Sequence, residues 1–393
     1  MAKKTVRDVE VRGKRVLVRV DFNVPLDPSS GAITDDSRIR ACLPTINYLV
    51  ERGAKVILCS HLGRPGGRIV EKLCLTPVAE RLARLLGRPV LTTRDSVGSE
   101  VEQAAMSLQD GGVLLLENLR FHPEEEKNDT SFARKLASLA ELYVSDAFGT
   151  VHRSHASTVG VASFLPAVAG FLLERELVML GNTLHNASAP FAALVGGAKV
   201  SDKMGVLENI LHRIDALLIG GGMASTFLKA EGQGVGRSRV EEDKLDFASG
   251  LIEKGQARSI RLLLPVDVVV GPSLEATDGT QVVPVTQVPA DGVIGDIGPQ
   301  TVELFSAQLR KCKTIFWNGP MGVFESPAYA QGTRAMARLL AELEATTIVG
   351  GGSSAEVVEE LGLTEKMTHV STGGGASLEF LEGKTLPGVA VLE

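Results

Sequence analysis

Lys199 and Lys203 stand four residues apart in GGAKVSDK, just past a glycine pair. If a helix starts there, that spacing puts both ammonium groups on one face. Like charges side by side cost stability, so the pair suggests either an anion beside them or a plainly solvated face. Four arginines raise the same question: Arg38, Arg64, Arg120 and Arg153 sit in or beside expected strand-to-helix loops, off any periodic helix face. A guanidinium fork stays charged and can grip a phosphate or carboxylate with two hydrogen bonds. One such loop arginine alone would read as a solvated surface residue.

Glycine-rich turns give a third group. LLIGGGMAS (217–225), TIVGGGSSAE (347–356) and HVSTGGGASLE (369–379) each set three glycines after an apolar run. At the carboxyl end of a parallel strand, such a turn lets backbone N–H groups and a helix N-terminus approach an anion. The other reading is a tight turn and nothing more. No GxxxxGK[ST] phosphate loop occurs, and neither do the HRD and DFG residues of protein kinases. A nicotinamide-dependent oxidoreductase is an alternative suggested by the glycine turns alone.

The elements that must position these groups follow from hydrophobic periodicity. RVLVRV (15–20), KVILCS (55–60), GVLLLE (112–117) and LYVSDA (142–147) read as strands. TPVAERLARLLG (76–87) and DTSFARKLASLAE (129–141) have helical spacing. The second half repeats the scheme with FAALVGG, ALLIGGG, RLLLPVDVVV, TIFWNGP and TTIVGGG as strands, with Trp317 assigned to the core. Buried apolar strands alternating with amphipathic helices predict an α/β fold with parallel sheets covered on both faces. A long helix expected within 165–190, over 171–187, marks the boundary between two domains and a candidate hinge.

A chain of 393 residues with 44% hydrophobic content suits two such domains. The net charge of -6 argues against general nucleic-acid binding. Residues 1–170 hold 23 Lys+Arg against 20 Asp+Glu, and residues 171–393 hold 18 against 27. The first part is thus +3 and the second -9, which hints at an anionic ligand on the first. No apolar run is long enough to span a membrane, and the first fifteen residues lack the apolar core of a secretory signal. Cys42, Cys59, Cys74 and Cys312 have no metal or disulfide spacing and read as reduced core thiols. A soluble, cytoplasmic protein is expected.

Ordered stretches along almost the whole chain resemble phosphoglycerate kinases. They are RVDFNVP (19–25), SHLGRP (60–65), ENLRF (117–121), DAFGTVHRSHAS (146–157), GGAKVSDK (196–203), WNGPMGVFE (317–325) and VSTGGGASLEFLEGK (370–384). The resemblance implies two Rossmann-like domains: 1–170 with about 380–393 for phosphoglycerate, and 188–379 for nucleotide. It implies reversible transfer of the acyl phosphate of 1,3-bisphosphoglycerate to MgADP, giving 3-phosphoglycerate and MgATP. The substrates would be these small molecules, bound by a monomer that bends at a hinge, with no nucleic acid and no membrane involved.

By the same resemblance, Arg64, Arg120 and Arg153 with His61 would hold the triose and its 3-phosphate, and Asp21 and Asn23 its hydroxyl and carboxyl end. Phe22, Leu62 and Gly63 lie inside the same motifs. For His152 both a ligand and a core reading stand. Arg38 matches the family's catalytic arginine, which bridges the substrate carboxyl and the migrating phosphoryl group. Lys203 would contact that group and Lys199 stabilise it in the transition state. Asn318 and Glu325 would serve the nucleotide, and GVIGDIGPQT (292–301) the adenine side. Gly351 and Gly352 fall among the catalytic positions and, with Ser353 and Ser354, in the nucleotide site.

One position departs from the family. The turn usually reads GGGD, with the Asp serving the nucleotide's metal; here it reads GGGSS. Ser353 through Glu356 has the S-x-x-E form of a capping box, so a structural job is expected to survive there. A hydroxyl cannot supply the carboxylate's charge to Mg²⁺. Three outcomes stay open: Ser353 holds the metal directly or through water, Glu356 supplies the carboxylate, or the chain is an impaired nucleotide-binding homologue.

Overall fold

The computed structural model describes residues 3–393. The chain divides into two compact units. One runs to Val178 and includes Thr385–Glu393; the other is Met179–Lys384. The chain passes between them within the helix Phe171–His185.

The first unit is built on six parallel strands: β1 (Arg15–Val20), β2 (Lys55–Cys59), β3 (Leu91–Thr92), β4 (Val113–Leu115), β5 (Leu142–Asp146) and β6 (Ala167–Ala169). Their order is β3-β4-β2-β1-β5-β6. β1, β2, β4 and β5 occupy the apolar runs that predicted them; β3 and β6, of two and three residues, are too short to leave a period. β1 is buried except at Arg15 and packs one core of valines, leucines and isoleucines with the helices Ser37–Glu51 and Thr76–Leu86. The C-terminal stretch closes this unit: Lys4 and Glu393 pair at 2.9 Å and Gly388 N donates to Val151 O at 2.8 Å.

The second unit repeats the plan with β7 (Phe191–Val195), β8 (Ala216–Ile219), β9 (Arg261–Leu263), β13 (Thr314–Asn318), β14 (Thr346–Gly350) and β15 (His369–Val370), in the order β15-β14-β13-β7-β8-β9. Trp317 is fully buried in its core, and its Nε1 donates to Gly319 O at 2.8 Å. The run RLLLPVDVVV, expected as one strand, is two. Pro265 has no N–H to give a ladder, so β9 ends before it. β10 (Asp267–Gly271) joins β11 (Gln281–Pro284) and β12 (Val293–Ile297) in a small antiparallel sheet. GVIGDIGPQT contributes β12 and the start of the helix Pro299–Leu309. Cys42, Cys59 and Cys312 are buried free thiols and Cys74 is half-buried. Among the described residues no helix is long and apolar enough to cross a membrane.

Each parallel sheet therefore reverses strand order once, between β1 and β5 and between β7 and β13. Ligands of open α/β sheets bind in the crevice beyond the carboxyl ends at such a reversal. The loops after those strands carry the residues singled out above.

Candidate active site

In the first unit the loops after β1, β2, β4 and β5 bring the charged groups together. Asp21 follows β1 and accepts a charge-assisted hydrogen bond from Arg38 Nη1, at the start of the helix Ser37–Glu51. Asn23 Oδ1 accepts from Gly63 N at 2.8 Å, and Arg120 Nη1 donates to Gly63 O at 2.8 Å. Arg120 is nearly buried and its Nε lies 3.2 Å from Glu126 Oε1. Asn118 knits the same loops: its Oδ1 accepts from Leu62 N and Arg120 N, and its Nδ2 donates to Leu62 O and Leu73 O. Arg64 and Arg153 remain exposed, and Arg153 Nε donates to His152 Nε2 at 3.1 Å.

Phe22 and Leu62 put their side chains into the hydrophobic core. They can serve a ligand only through the backbone, so their expected place in the substrate site narrows to that. Gly63 has φ +64°, and a Cβ there would stand 2.9 Å from Leu73 Cδ2. The turn between His61 and Arg64 thus needs a residue without a side chain.

Beneath this cluster lies a second layer. Arg19 is 1% exposed, and its Nε donates to Ser157 Oγ at 2.8 Å. Ser157 Oγ in turn donates to Glu125 Oε1 at 2.6 Å, and Ser157 N donates to Oε2 at 3.0 Å. Burial pushes the Glu125 carboxyl above its usual range, with Arg19 and Ser157 opposing that push. Burial also drives His61 well below the usual imidazole value, with Arg19, Arg120 and Arg38 adding to the effect against Asp21. His61 is therefore neutral. Burial pushes Asp21 up, but its carboxyl ends below the usual range. A neutral His61 brings no charge to that balance, so the Arg38 and Arg19 guanidiniums hold Asp21 ionised.

In the second unit the turns after β7, β8 and β13 fit backbone to backbone. Gly196 N donates to Asn318 O, Gly197 N to Pro320 O and Gly221 N to Met321 O, each at 2.9 Å. A Cβ on Gly221 would lie 2.6 Å from Gly197 N and 2.7 Å from Pro320 O. In the first GGG turn Gly221 is thus required by close backbone packing, as the tight-turn reading expects. Gly352 and Gly374, in the other two turns, face open space.

Lys199 lies in the loop after β7, and Lys203 is the residue before the helix Met204–Ile210. The two do not share a helix face, because the helix starts later than the glycine turn implied. Lys203 is 9% exposed and its ammonium is hydrogen-bonded to Asn318 Oδ1. Burial pulls its pKa down to about 8, with only Asp202 opposing. With Oδ1 facing the lysine, Asn318 Nδ2 is left buried without a partner, beside Gly351. An unpaired buried amide donor next to a desolvated cation suits an anionic oxygen. Glu325 is exposed on the loop after β13.

The turn after β14 differs from expectation. The helix is Gly352–Glu360, with Gly351 at φ +92° as its N-cap and no side-chain capping bond. Ser353 is thus inside the first turn and forms no capping box with Glu356. The N–H groups of Gly352, Ser353 and Ser354 are the ones a helix start leaves free. Ser354 is fully buried and its Oγ accepts from Gly319 N at 2.7 Å, tying this turn to the one after β13. Its oxygen is engaged as an acceptor, which leaves its O–H and its N–H as donors. Among the described residues no group of three or more His, Cys, Asp or Glu could hold a metal. The side-chain oxygen this turn would offer a divalent cation is the Ser353 hydroxyl, and the remaining ligands would have to come from what the cation arrives with.

Sequence reasoning missed Arg19, Glu125, Asn118 and Ser157 as parts of the site. Arg19 carried a signal, a cation in the otherwise apolar run VLVRV; Asn118 and Ser157 carried none beyond their motifs, and Glu125 carried none at all.

The comparisons agree with the geometry. The family model described as phosphoglycerate kinase matches residues 6–384. The phosphoglycerate kinases of Pelotomaculum thermopropionicum and Moorella thermoacetica are each 57% identical over 392 residues, covering 100% of this chain and 99% of theirs. The solved phosphoglycerate kinase of Coxiella burnetii superposes with a TM-score of 0.88 at 41% identity, covering 99% of this chain and 98% of that one. That of Pyrococcus horikoshii gives 0.86 at 35% identity, with the same coverage. With the motifs, both sheets and full-length relatives in accord, the chain belongs to the phosphoglycerate kinase family.

Proposed function

We propose that the chain transfers a phosphoryl group reversibly between 1,3-bisphosphoglycerate and MgADP, giving 3-phosphoglycerate and MgATP. The observation that carries this reading is the pairing, in one chain, of two anion sites at the two sheet reversals. One is the arginine–histidine cluster; the other is Lys203 with the unpartnered Asn318 amide.

In the direction of ATP use, a carboxylate oxygen of 3-phosphoglycerate attacks the γ-phosphorus, and the bond from that phosphorus to the ADP oxygen breaks. The carboxylate is ionised at neutral pH, so no general base is required. Catalysis reduces to alignment and to compensation of charge on the transferred oxygens. Arg38 bridges the acceptor carboxyl and the moving group, and its bond to Asp21 sets its position. Arg64, Arg120, Arg153 and His61 hold the triose phosphate, and Asn23 Nδ2 is the half of that amide not used on Gly63.

Lys203 and the free N–H groups of Gly352, Ser353 and Ser354 receive the nucleotide phosphates, with Lys199 completing the charge in the transition state. Glu325 accepts from the ribose. Mg²⁺ arrives with the nucleotide, and we assign Ser353, half-buried in the first helical turn, to its coordination sphere. The protein acts as a cytoplasmic monomer, and hinge bending brings the two substrates in line while excluding water. Full-length relatives that carry the kinase name favour an active enzyme over an impaired homologue.

The test is the initial rate of ADP formation from ATP, with and without 3-phosphoglycerate, as Mg²⁺ is titrated. Turnover that depends on the triose supports the reading; nucleotide binding without turnover at any Mg²⁺ overturns it. Ser353→Asp should lower the Mg²⁺ concentration needed for half-saturation, because a carboxylate is the stronger ligand. An unchanged Mg²⁺ dependence would remove Ser353 from the metal's surroundings.

A further inference from the structure

The layer under the basic cluster contains one contact whose chemistry can be read in only one way. Arg19 Nη2 lies 3.1 Å from His61 Nδ1. A guanidinium has donors and no acceptor. His61 Nδ1 must therefore present its lone pair to Arg19, and the hydrogen of the neutral ring must sit on Nε2. The other group near Nδ1, Asp21 Oδ1, is 3.8 Å away and beyond hydrogen-bond distance. Placing a proton on Nδ1 would set an N–H against the guanidinium.

Arg19 cannot turn away from this contact. It is 1% exposed, its Nη1 donates to Val20 O, and its Nε is held by Ser157 Oγ. Ser157 is fixed in turn by both oxygens of Glu125, and Tyr143 Oη donates to Ser157 O at 2.8 Å. Glu125 itself is fully buried. The chain Glu125–Ser157–Arg19–His61 runs from the core to the floor of the site and orients the ring at its end.

We propose that Arg19 is a positioning residue, locked by Glu125 and Ser157, that fixes His61 in the tautomer with its hydrogen on Nε2, so that the ring donates to an oxygen of the phosphoglycerate. The proposal rests on the reading of His61 as a triose contact. What it adds is a division of labour among cations. Arg38, Arg64, Arg120 and Arg153 supply charge to the ligand. Arg19 spends its charge inward on Glu125 and makes its neighbour a neutral donor. Such a donor adds a directed hydrogen bond without another buried positive charge. The groups that face His61 are Asp21, Arg19, Arg38 and Arg120.

The test is long-range ¹H–¹⁵N correlation NMR of the histidine rings, with the His61 signals assigned by their loss in His61→Gln. In the wild-type protein, between pH 5.5 and 8, the proposal expects an unprotonated Nδ1, a protonated Nε2 and no titration. Addition of 3-phosphoglycerate should shift the Nε2–H signal. A ring protonated at Nδ1, or one that titrates in this range, overturns the role of Arg19. The expected tautomer with no response to 3-phosphoglycerate overturns the reading of His61 as a triose contact, so the two failures are told apart. The readings are made on the wild-type protein; only the assignment uses a variant.

A second arm uses the double substitution Arg19→Met with Glu125→Gln, which removes both buried charges together. The expected result is a rise of about tenfold in KM for 3-phosphoglycerate, the scale of one well-placed hydrogen bond. KM should rise more than kcat falls, and phosphoglycerate binding should acquire a pH dependence. A folded double variant with unchanged KM and a flat pH profile overturns the proposal.

Discussion

The two proposed anion sites of this chain are built by opposite means. In the first unit three of the cations have partners before any ligand arrives: Arg38 has Asp21, Arg120 has Glu126 and the Gly63 carbonyl, and Arg19 has Ser157 with Glu125 behind it. In the second unit Lys203 has an amide oxygen for a partner, its charge is disfavoured by burial, and the Asn318 Nδ2 beside it has no partner. One site stores order in side-chain ion pairs. The other stores unsatisfied donors on a floor of glycine turns. The first is rigid and hard to break locally; the second is completed by the charge of what it binds.

Three substitutions probe that contrast, starting with the largest effect. Arg38→Ala should lower turnover by about 10³–10⁵, the range for arginines that stabilise transferred phosphoryl groups, with the circular dichroism spectrum unchanged. Near-normal turnover would take Arg38 out of the chemistry.

Glu125→Ala removes the carboxylate that holds Ser157 behind the Arg19 guanidinium. Hydrogen bonds to a charged group contribute about 1.5–3 kcal/mol, so denaturant unfolding should shift by that amount. A loss below about 1 kcal/mol would mean that Ser157 and water satisfy Arg19 without the carboxylate.

Ser354→Ala removes the acceptor for Gly319 N and leaves that N–H buried. The expected loss is about 1–3 kcal/mol, with nucleotide affinity falling further than the stability change explains, because two phosphate-facing turns lose register. Stability lost without any change in nucleotide affinity would make the serine purely structural.

What the sequence made legible, and what it did not, divides along the same line. The strands after which every site residue falls were readable because a parallel strand buried on both faces is a continuous apolar run: RVLVRV, KVILC and TIFWN could be little else. The arginine loops were readable because several unpaired-looking cations recur just past such runs. Helix starts were not. The glycine turn before Lys199 was taken for a helix beginning, yet the chain needs seven more residues after Gly196 before Met204 starts the helix. Ser353 through Glu356 has the sequence of a capping box, but the backbone begins the helix two residues earlier, with Gly351 in the left-handed region that only glycine adopts freely.

The two readings of the first GGG turn could not be separated for a related reason. Whether glycines approach an anion or another backbone depends on which loops meet in space, and no local pattern contains that information. The inner layer was hidden because Glu125 and Arg19 are more than 100 residues apart and each looks ordinary in its own segment.

The contrast between the sites has a consequence in pH. Lys203 ionises at about 8 in the free protein, below the usual lysine value, with burial as the cause. A cation whose folded pKa is lowered loses its proton in the folded state first, so stability rises with pH from about 8 upward while the charge needed for phosphate is lost. The proposed triose site is built instead on guanidiniums, a side-chain type chosen where a permanent charge is needed.

The most direct test of the account is calorimetric titration of the protein with MgADP and, separately, with 3-phosphoglycerate, from pH 6.5 to 9.5. The account predicts that MgADP affinity falls as pH rises through about 8, approaching tenfold per pH unit, and that Lys203→Arg flattens the fall. Phosphoglycerate affinity should stay level over the same range. If both ligands lose affinity in parallel, or if MgADP binding is flat in the wild-type protein, the two sites do not differ as described.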